Sequence, residues 1–84
     1  MTYIVYAIYN ASVDRIYIGQ TQNLTERIRL HNNHEFKNGF TARFNGEWII
    51  IYQETVETRN EALKREKQLK GYQGRQFIKK FIPR

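Results

Sequence analysis

The chain has 84 residues, 40% hydrophobic and 14% aromatic, with a formal net charge of +6, which suits one folded domain over residues 1–84 with a modest core and leaves no room for a second. It contains no cysteine, so disulfides and thiolate zinc sites are excluded. Its longest aliphatic run is Ile49-Ile50-Ile51, far short of the ~20 residues a membrane span needs; a soluble, cytoplasmic protein with no membrane partner is expected.

Residues Thr2 to Tyr9 are β-branched and aromatic and read as a strand, with Ile4, Tyr6 and Ile8 on one side and Tyr3, Val5, Ala7 and Tyr9 on the other. A turn follows at Asn10–Asp14, then a short strand from Arg15 to Ile18 ended by Gly19, which together predict an antiparallel hairpin. Asn23 and Glu26 have the spacing of a capping box and open a helix that fades near Asn32-Asn33. Leu24 and Ile28 form its apolar stripe, and Arg27 and His31, also four apart, form a neighbouring one. His34 to Asn45 reads as a loop with aromatic anchors at Phe36, Phe40 and Phe44. Trp48 to Tyr52 is apolar without alternation, which predicts a strand covered on both faces.

Thr58 and Glu61 repeat the capping-box spacing and start a second helix, which Gly71 is expected to stop in a left-handed cap. A last helix is expected from Gln73 to Ile82, with Phe77, Ile78, Phe81 and Ile82 inward and Arg75, Lys79 and Lys80 outward. The order ββαβαα predicts an α+β fold with a small three-stranded, mostly antiparallel sheet flanked by helices.

One charge stands out. At about 100° per residue, Ala62, Leu63 and Leu69 fall on one face of the second helix, and Glu66 projects from the middle of it. A carboxylate among core side chains loses hydration, so it needs a cation or hydrogen bonds in place of water. It is usually tied to Arg or Lys, or it holds a metal. The positive charge is also uneven. From Arg59 to Arg84 there are nine basic residues against two acids, whereas the remainder has five against six. One basic half on a near-neutral body fits a polyanion partner, most often nucleic acid; a solvated helical face is the plain alternative.

Few polar groups are placed to do chemistry, and each has a duller reading. Tyr6 suits an amphipathic core position, and Tyr17 could simply pack the hairpin. Arg27 could be a surface charge, His31 a helix-end residue favoured by the macrodipole, and Glu66 the partner of Lys70 one turn on. His31 and His34, three apart, superficially suggest a metal pair, but neither a ββα-metal order nor a cysteine accompanies them.

Taken in order, however, the chain resembles a known family. Ile4-Val5-Tyr6, ten intervening residues, then Tyr17-Ile18-Gly19 is similar to the paired tripeptides of the GIY-YIG nucleases. Asn23-Leu24 with Arg27 and His31 looks like that family's first helix, and Arg65-Glu66-Lys67 like its acidic helix. The stretch from Ala62 to Tyr72 resembles the small stand-alone bacterial members, relatives of the N-terminal module of an excinuclease.

The resemblance implies a metal-dependent endonuclease that cuts nucleic acid, DNA before RNA, and so a place in DNA repair. It implies one divalent cation on Glu66, Mg²⁺ before Mn²⁺, because a lone carboxylate offers too few ligands for a two-metal clamp. Arg27 would neutralise charge on the phosphate, Tyr6 would act as the base, Tyr17 would hold phosphate or water, and His31 would take up or relay the proton. Arg27, Lys64, Lys67, Lys70 and Arg75 would contact nucleic acid. The chain departs from the family at Ile4, at Gln20 where some members place a lysine, and in lacking an asparagine from Tyr72 to Arg84. So small a domain has no dedicated sequence-reading element. The expectation is weak sequence specificity or structure selectivity, with a protein partner as one source of specificity. The competing expectation is a catalytically weak or inactive nucleic-acid-binding module on the same fold.

Overall fold

The computed structural model describes residues 2–32 and 46–83. The expected loop with its anchors Phe36, Phe40 and Phe44, and the discounted His34, lie outside the described residues. The elements are β1 (Tyr3–Asn10), β2 (Arg15–Thr21), α1 (Leu24–Asn32), β3 (Ile49–Val56), α2 (Arg59–Lys70) and α3 (Tyr72–Lys79). This is the expected ββαβαα order. The strands form one sheet, β2-β1-β3, with both pairings antiparallel.

Alternation along β1 divides the core in two. Val5 and Ala7, with Ile18 of β2, pack against Ala62, Leu69 and Ile78 of α2 and α3. Tyr6 and Ile8, on the other face, pack with Leu24 of α1 and with Trp48, and Ile4, Tyr17 and Ile28 close the edge of that cluster. The sheet therefore lies between α1 on one side and α2 with α3 on the other. Asn32 fixes the end of α1: its Oδ1 accepts from the Trp48 N–H at 2.6 Å and its Nδ2 donates to the Trp48 carbonyl at 3.1 Å.

Several local expectations are corrected. β2 runs through Gly19 to Thr21, because Gly19 pairs opposite Tyr6 within the ladder. β3 extends to Val56 and is an outer strand, with Ile49 37% and Ile50 39% exposed, so it is not covered on both faces. Its run of three isoleucines reflects a register shift: Ala7 faces Tyr52 but Ile8 faces Ile50, which leaves Ile51 as the extra residue of a bulge.

The Thr58 capping box forms, with the Glu61 N–H donating to Thr58 Oγ1 at 3.1 Å. At the first box Asn23 accepts from the Glu26 N–H, but the Glu26 carboxylate turns to Arg29. Gly71 is extended (φ −72°, ψ 173°) rather than left-handed, and it caps α3 directly, so that helix starts at Tyr72. Leu63 is 41% exposed and Phe81 42%; Phe81 lies past the end of α3, where it packs on Tyr52 and Phe77. Gly74 is where α3 crosses the end of α2. A Cβ there would penetrate the Gln68 carbonyl oxygen and Leu69 Cα.

Candidate active site

The register of the hairpin builds the first part of the site. Tyr6 faces Gly19 and Ile8 faces Tyr17, so Tyr6 and Tyr17 are diagonal neighbours on the α1 face of the sheet. Their ring centroids are 6.4 Å apart. Gly19 has a specific task here. A Cβ built on it would lie 2.8 Å from the Tyr6 hydroxyl oxygen and 3.1 Å from the Tyr17 ring. The absence of a side chain at Gly19 is what lets the Tyr6 phenol lie across β2, the outer strand.

α1 supplies the second part. Its cap at Asn23 sets the helix phase, and Leu24 and Ile28 anchor it on the sheet. Seven residues after Leu24, His31 returns to the same buried face. Its Nε2 is 3.0 Å from the Tyr6 hydroxyl, and its ring packs 5.1 Å from that of Tyr17. His31 is not a helix-end surface residue; it is 3% exposed.

Electrostatics join the remaining groups. Burial, the largest influence, raises the Tyr6 phenol well above the usual tyrosine range; Tyr17 and Glu66 push the same way, while Arg27 opposes them. All three neighbours therefore act on one hydroxyl. His31 is lowered to about 4, by burial first and by the Arg27 charge second. At neutral pH the imidazole is uncharged, so one ring nitrogen keeps a lone pair. Nε2 can then accept the Tyr6 proton.

Glu66 comes from the opposite layer of the molecule. It sits at the margin of the α2 core face, with its side chain 21% exposed rather than enclosed. That corrects the expectation of a charge in the middle of a buried stripe, and the exposed Leu63 is the reason: only Ala62 and Leu69 of the expected face are buried. Lys70 Nζ donates to Glu66 Oε2 at 2.8 Å. An exposed i,i+4 pair of this kind contributes only about 0.3–0.5 kcal/mol. A divalent cation can displace that lysine from the carboxylate, and a phosphate can draw it away, at little cost.

Lys70 also lines a recess with Tyr17, Ile16, Ile18 and Arg75. The site thus straddles the outer edge of β2, with phenols and imidazole on one face and the α2 groups on the other. Of the expected nucleic-acid contacts, Lys70 and Arg75 are in this recess, whereas Lys64 and Lys67 are exposed on α2. Gly19 is absent from the expected site residues although it closes the second tripeptide; the hairpin register is the signal that gives it a role. Outside the site, Arg65 Nε clamps both Glu54 oxygens at 2.9 Å each, a contact with no sequence signal because the polar residues after Tyr52 carry no strand pattern of their own.

A model of the GIY-YIG catalytic domain matches residues 2–80. The chain belongs to the GIY-YIG family. Within this nuclease family it is 34% identical over 64 residues to UPF0213 proteins of two Staphylococcus epidermidis strains, covering 76% of each chain. The solution structure of a UPF0213 protein from Bacillus halodurans has the same fold, with a TM-score of 0.54 and 20% identity over 93% of this chain and 82% of that one. Tyr6 and Tyr17 are the tyrosines of the two tripeptides that resemble the family's, and Gly19, which closes the second, is the residue over which Tyr6 lies.

A metal in this GIY-YIG domain must accept a sparse donor set. Among the described residues no three His, Cys, Asp or Glu side chains cluster as ligands. One partly exposed carboxylate fits a hard cation that keeps most of its waters and shares substrate phosphate oxygens; it does not fit an all-protein cage.

Proposed function

We propose that the chain is an endonuclease that hydrolyses phosphodiester bonds of nucleic acid, DNA above all, with weak sequence specificity or structure selectivity. Membership of a nuclease family supports the reaction class. The observation that carries the reading is the Tyr6–His31 hydrogen bond held within electrostatic reach of Arg27 and Glu66. The cytoplasm is the proposed compartment, in keeping with a cysteine-free chain.

Tyr6 meets the attacking water. In the free protein its phenol stays protonated, because burial, Tyr17 and Glu66 together outweigh Arg27. A preformed phenolate is therefore the wrong base. The phenol instead passes its proton to His31 Nε2 as it takes one from the water, so water, phenol and imidazole act as one chain. The entering phosphate pairs with Arg27. That removes part of the charge that lowers His31 and makes the imidazole a better acceptor as the phosphate arrives. The Arg27 fork matches two phosphate oxygens and stabilises charge that grows in the transition state. Tyr17 positions water or phosphate beside the recess. Glu66, with water and substrate, would hold one Mg²⁺ or Mn²⁺, which supplies Lewis-acid charge on the phosphate and on the leaving oxygen.

The test is cleavage of supercoiled plasmid and of flapped DNA with and without Mg²⁺. Cleavage should need the cation and should vanish in Glu66→Ala and Arg27→Ala proteins that keep native circular dichroism. Cleavage persisting in Glu66→Ala would refute the assignment. The Lys70–Glu66 ion pair favours a second reading, an inactive binder of nucleic acid in which the carboxylate stays on Lys70 and takes no metal. Salt-sensitive DNA binding with no cleavage under any divalent cation would select it.

A further inference from the structure

The recess beside Tyr17 continues past Lys70. Ile16 and Arg75 line it and also line a second recess, which Asp14, Arg15, Lys79 and Ile82 complete. Four cations from separate parts of the chain, the start of β2, the end of α2 and one face of α3, thus converge on a continuous concavity along the outer edge of the sheet. Arg75 and Lys79 are four apart and share a helix face. Arg75 sits at the junction, where its Nε donates to the Lys70 carbonyl oxygen at 3.1 Å.

Arg29 pairs with Glu26 and Arg65 with Glu54, both away from the groove. Among the described residues neither Arg75 nor Lys79 has a carboxylate partner, and the one acid in the recess, Asp14, accepts from the Tyr9 hydroxyl at 2.7 Å. All four cations are exposed, yet they line one groove, where a polyanion relieves their mutual repulsion. The groove opens at Tyr17 and at Lys70, the partner of Glu66, so it leads into the candidate active site.

We infer that the outer edge of β2 and the adjoining face of α3 form a track for the phosphates that flank the cleaved bond, contacted in turn by Lys70, Arg75, Lys79 and Arg15. The inference rests on the nuclease reading and gives it a direction: substrate leaves the site along α3 rather than across the exposed lysines Lys64 and Lys67.

Binding of a short fluorescein-labelled flapped DNA by the whole chain in EDTA, read by anisotropy across a salt series, tests it. Each lost phosphate contact lowers the slope of log K against log salt by about 0.7–0.9. Arg15→Ala combined with Lys79→Ala should therefore flatten the slope by about twice that amount and weaken binding about tenfold or more at low salt. Arg59→Ala, an equal charge loss per site on the far end of α2, should change the slope much less. Equal slopes per charge removed in the Arg59 and the Arg15/Lys79 variants would overturn the track, as would unaltered protein that binds no DNA. Arg75→Lys, which keeps the charge, guards against misfolding and should retain most of the slope. Binding that depends on Arg15 and Lys79 without any Mg²⁺-dependent cleavage keeps the track and removes only the hydrolytic reading.

Discussion

At the residue scale the decisive contact is a phenol against a neutral imidazole. Tyr6→Phe keeps the ring that fills the core and removes only the hydroxyl that His31 faces. Plasmid cleavage should fall by about 10²–10⁴-fold while the melting temperature stays near that of the unaltered protein; cleavage at the original rate would show that the proton chain runs elsewhere. His31 also sets a pH dependence of stability. Its folded value of about 4 lies below the unfolded 6.5. Above 6.5 neither state binds the proton, and stability is full. As pH falls from 6.5 towards 4, only the unfolded state is protonated, and stability declines by up to about 3 kcal/mol before levelling. Thermal melts across that window should show the decline, and His31→Gln should flatten it. Gly19 is the third position. Gly19→Ala should destabilise by about 1–3 kcal/mol, because the new methyl meets the Tyr6 hydroxyl at 2.8 Å. In a Tyr6→Phe background the same change should cost less, a coupling that a double-mutant cycle by urea denaturation measures.

At the element scale the packing of α3 on α2 decides where the basic residues sit. Gly74 allows the crossing, and helix propensity by itself argues for alanine there by about 1 kcal/mol. The clash with the Gln68 and Leu69 backbone reverses that sign, since backbone atoms cannot swing away. Gly74→Ala should destabilise by about 3 kcal/mol, the upper end for overpacking, which chemical denaturation will show. Most elements are readable from the residues: the hairpin from its β-branched run and turn, α1 and α2 from their caps. The extent of β3 is not. Gln53 to Val56 are polar or mixed, and they become strand because β1 offers them an edge to pair with. Gly71 misleads for a related reason. It ends α2 and starts α3 at once, so an extended conformation serves both helices where a left-handed cap would serve one.

At the scale of the whole molecule, the proposed nuclease has one candidate site per chain and an uneven charge. On that reading each visit cuts one strand. Supercoiled plasmid should therefore accumulate as nicked circles before linear molecules appear on a gel time course. Simultaneous linearisation would indicate two copies acting together. Of the nine basic residues from Arg59 onward, five lie on α2 and two on α3, and their number alone points no further than a polyanion as the expected partner. Which of them serve the site depends on the fold: Lys70, Arg75 and Lys79 reach the β2 edge, along with Arg15 from the other half of the chain.

The residues by themselves determined the element order, the two faces of β1 and the family, because alternation, capping spacing and ordered motifs are local properties of the chain. The environment of Glu66 was not among them. Helical periodicity ranks side chains by direction and cannot say how far the opposing layer extends. The tertiary structure leaves Leu63 open to solvent, places Glu66 at the rim beside Lys70, and brings that rim around the outer strand to the phenols. Contacts between layers arise from packing across a sheet edge, and no window of sequence contains both sides of that edge.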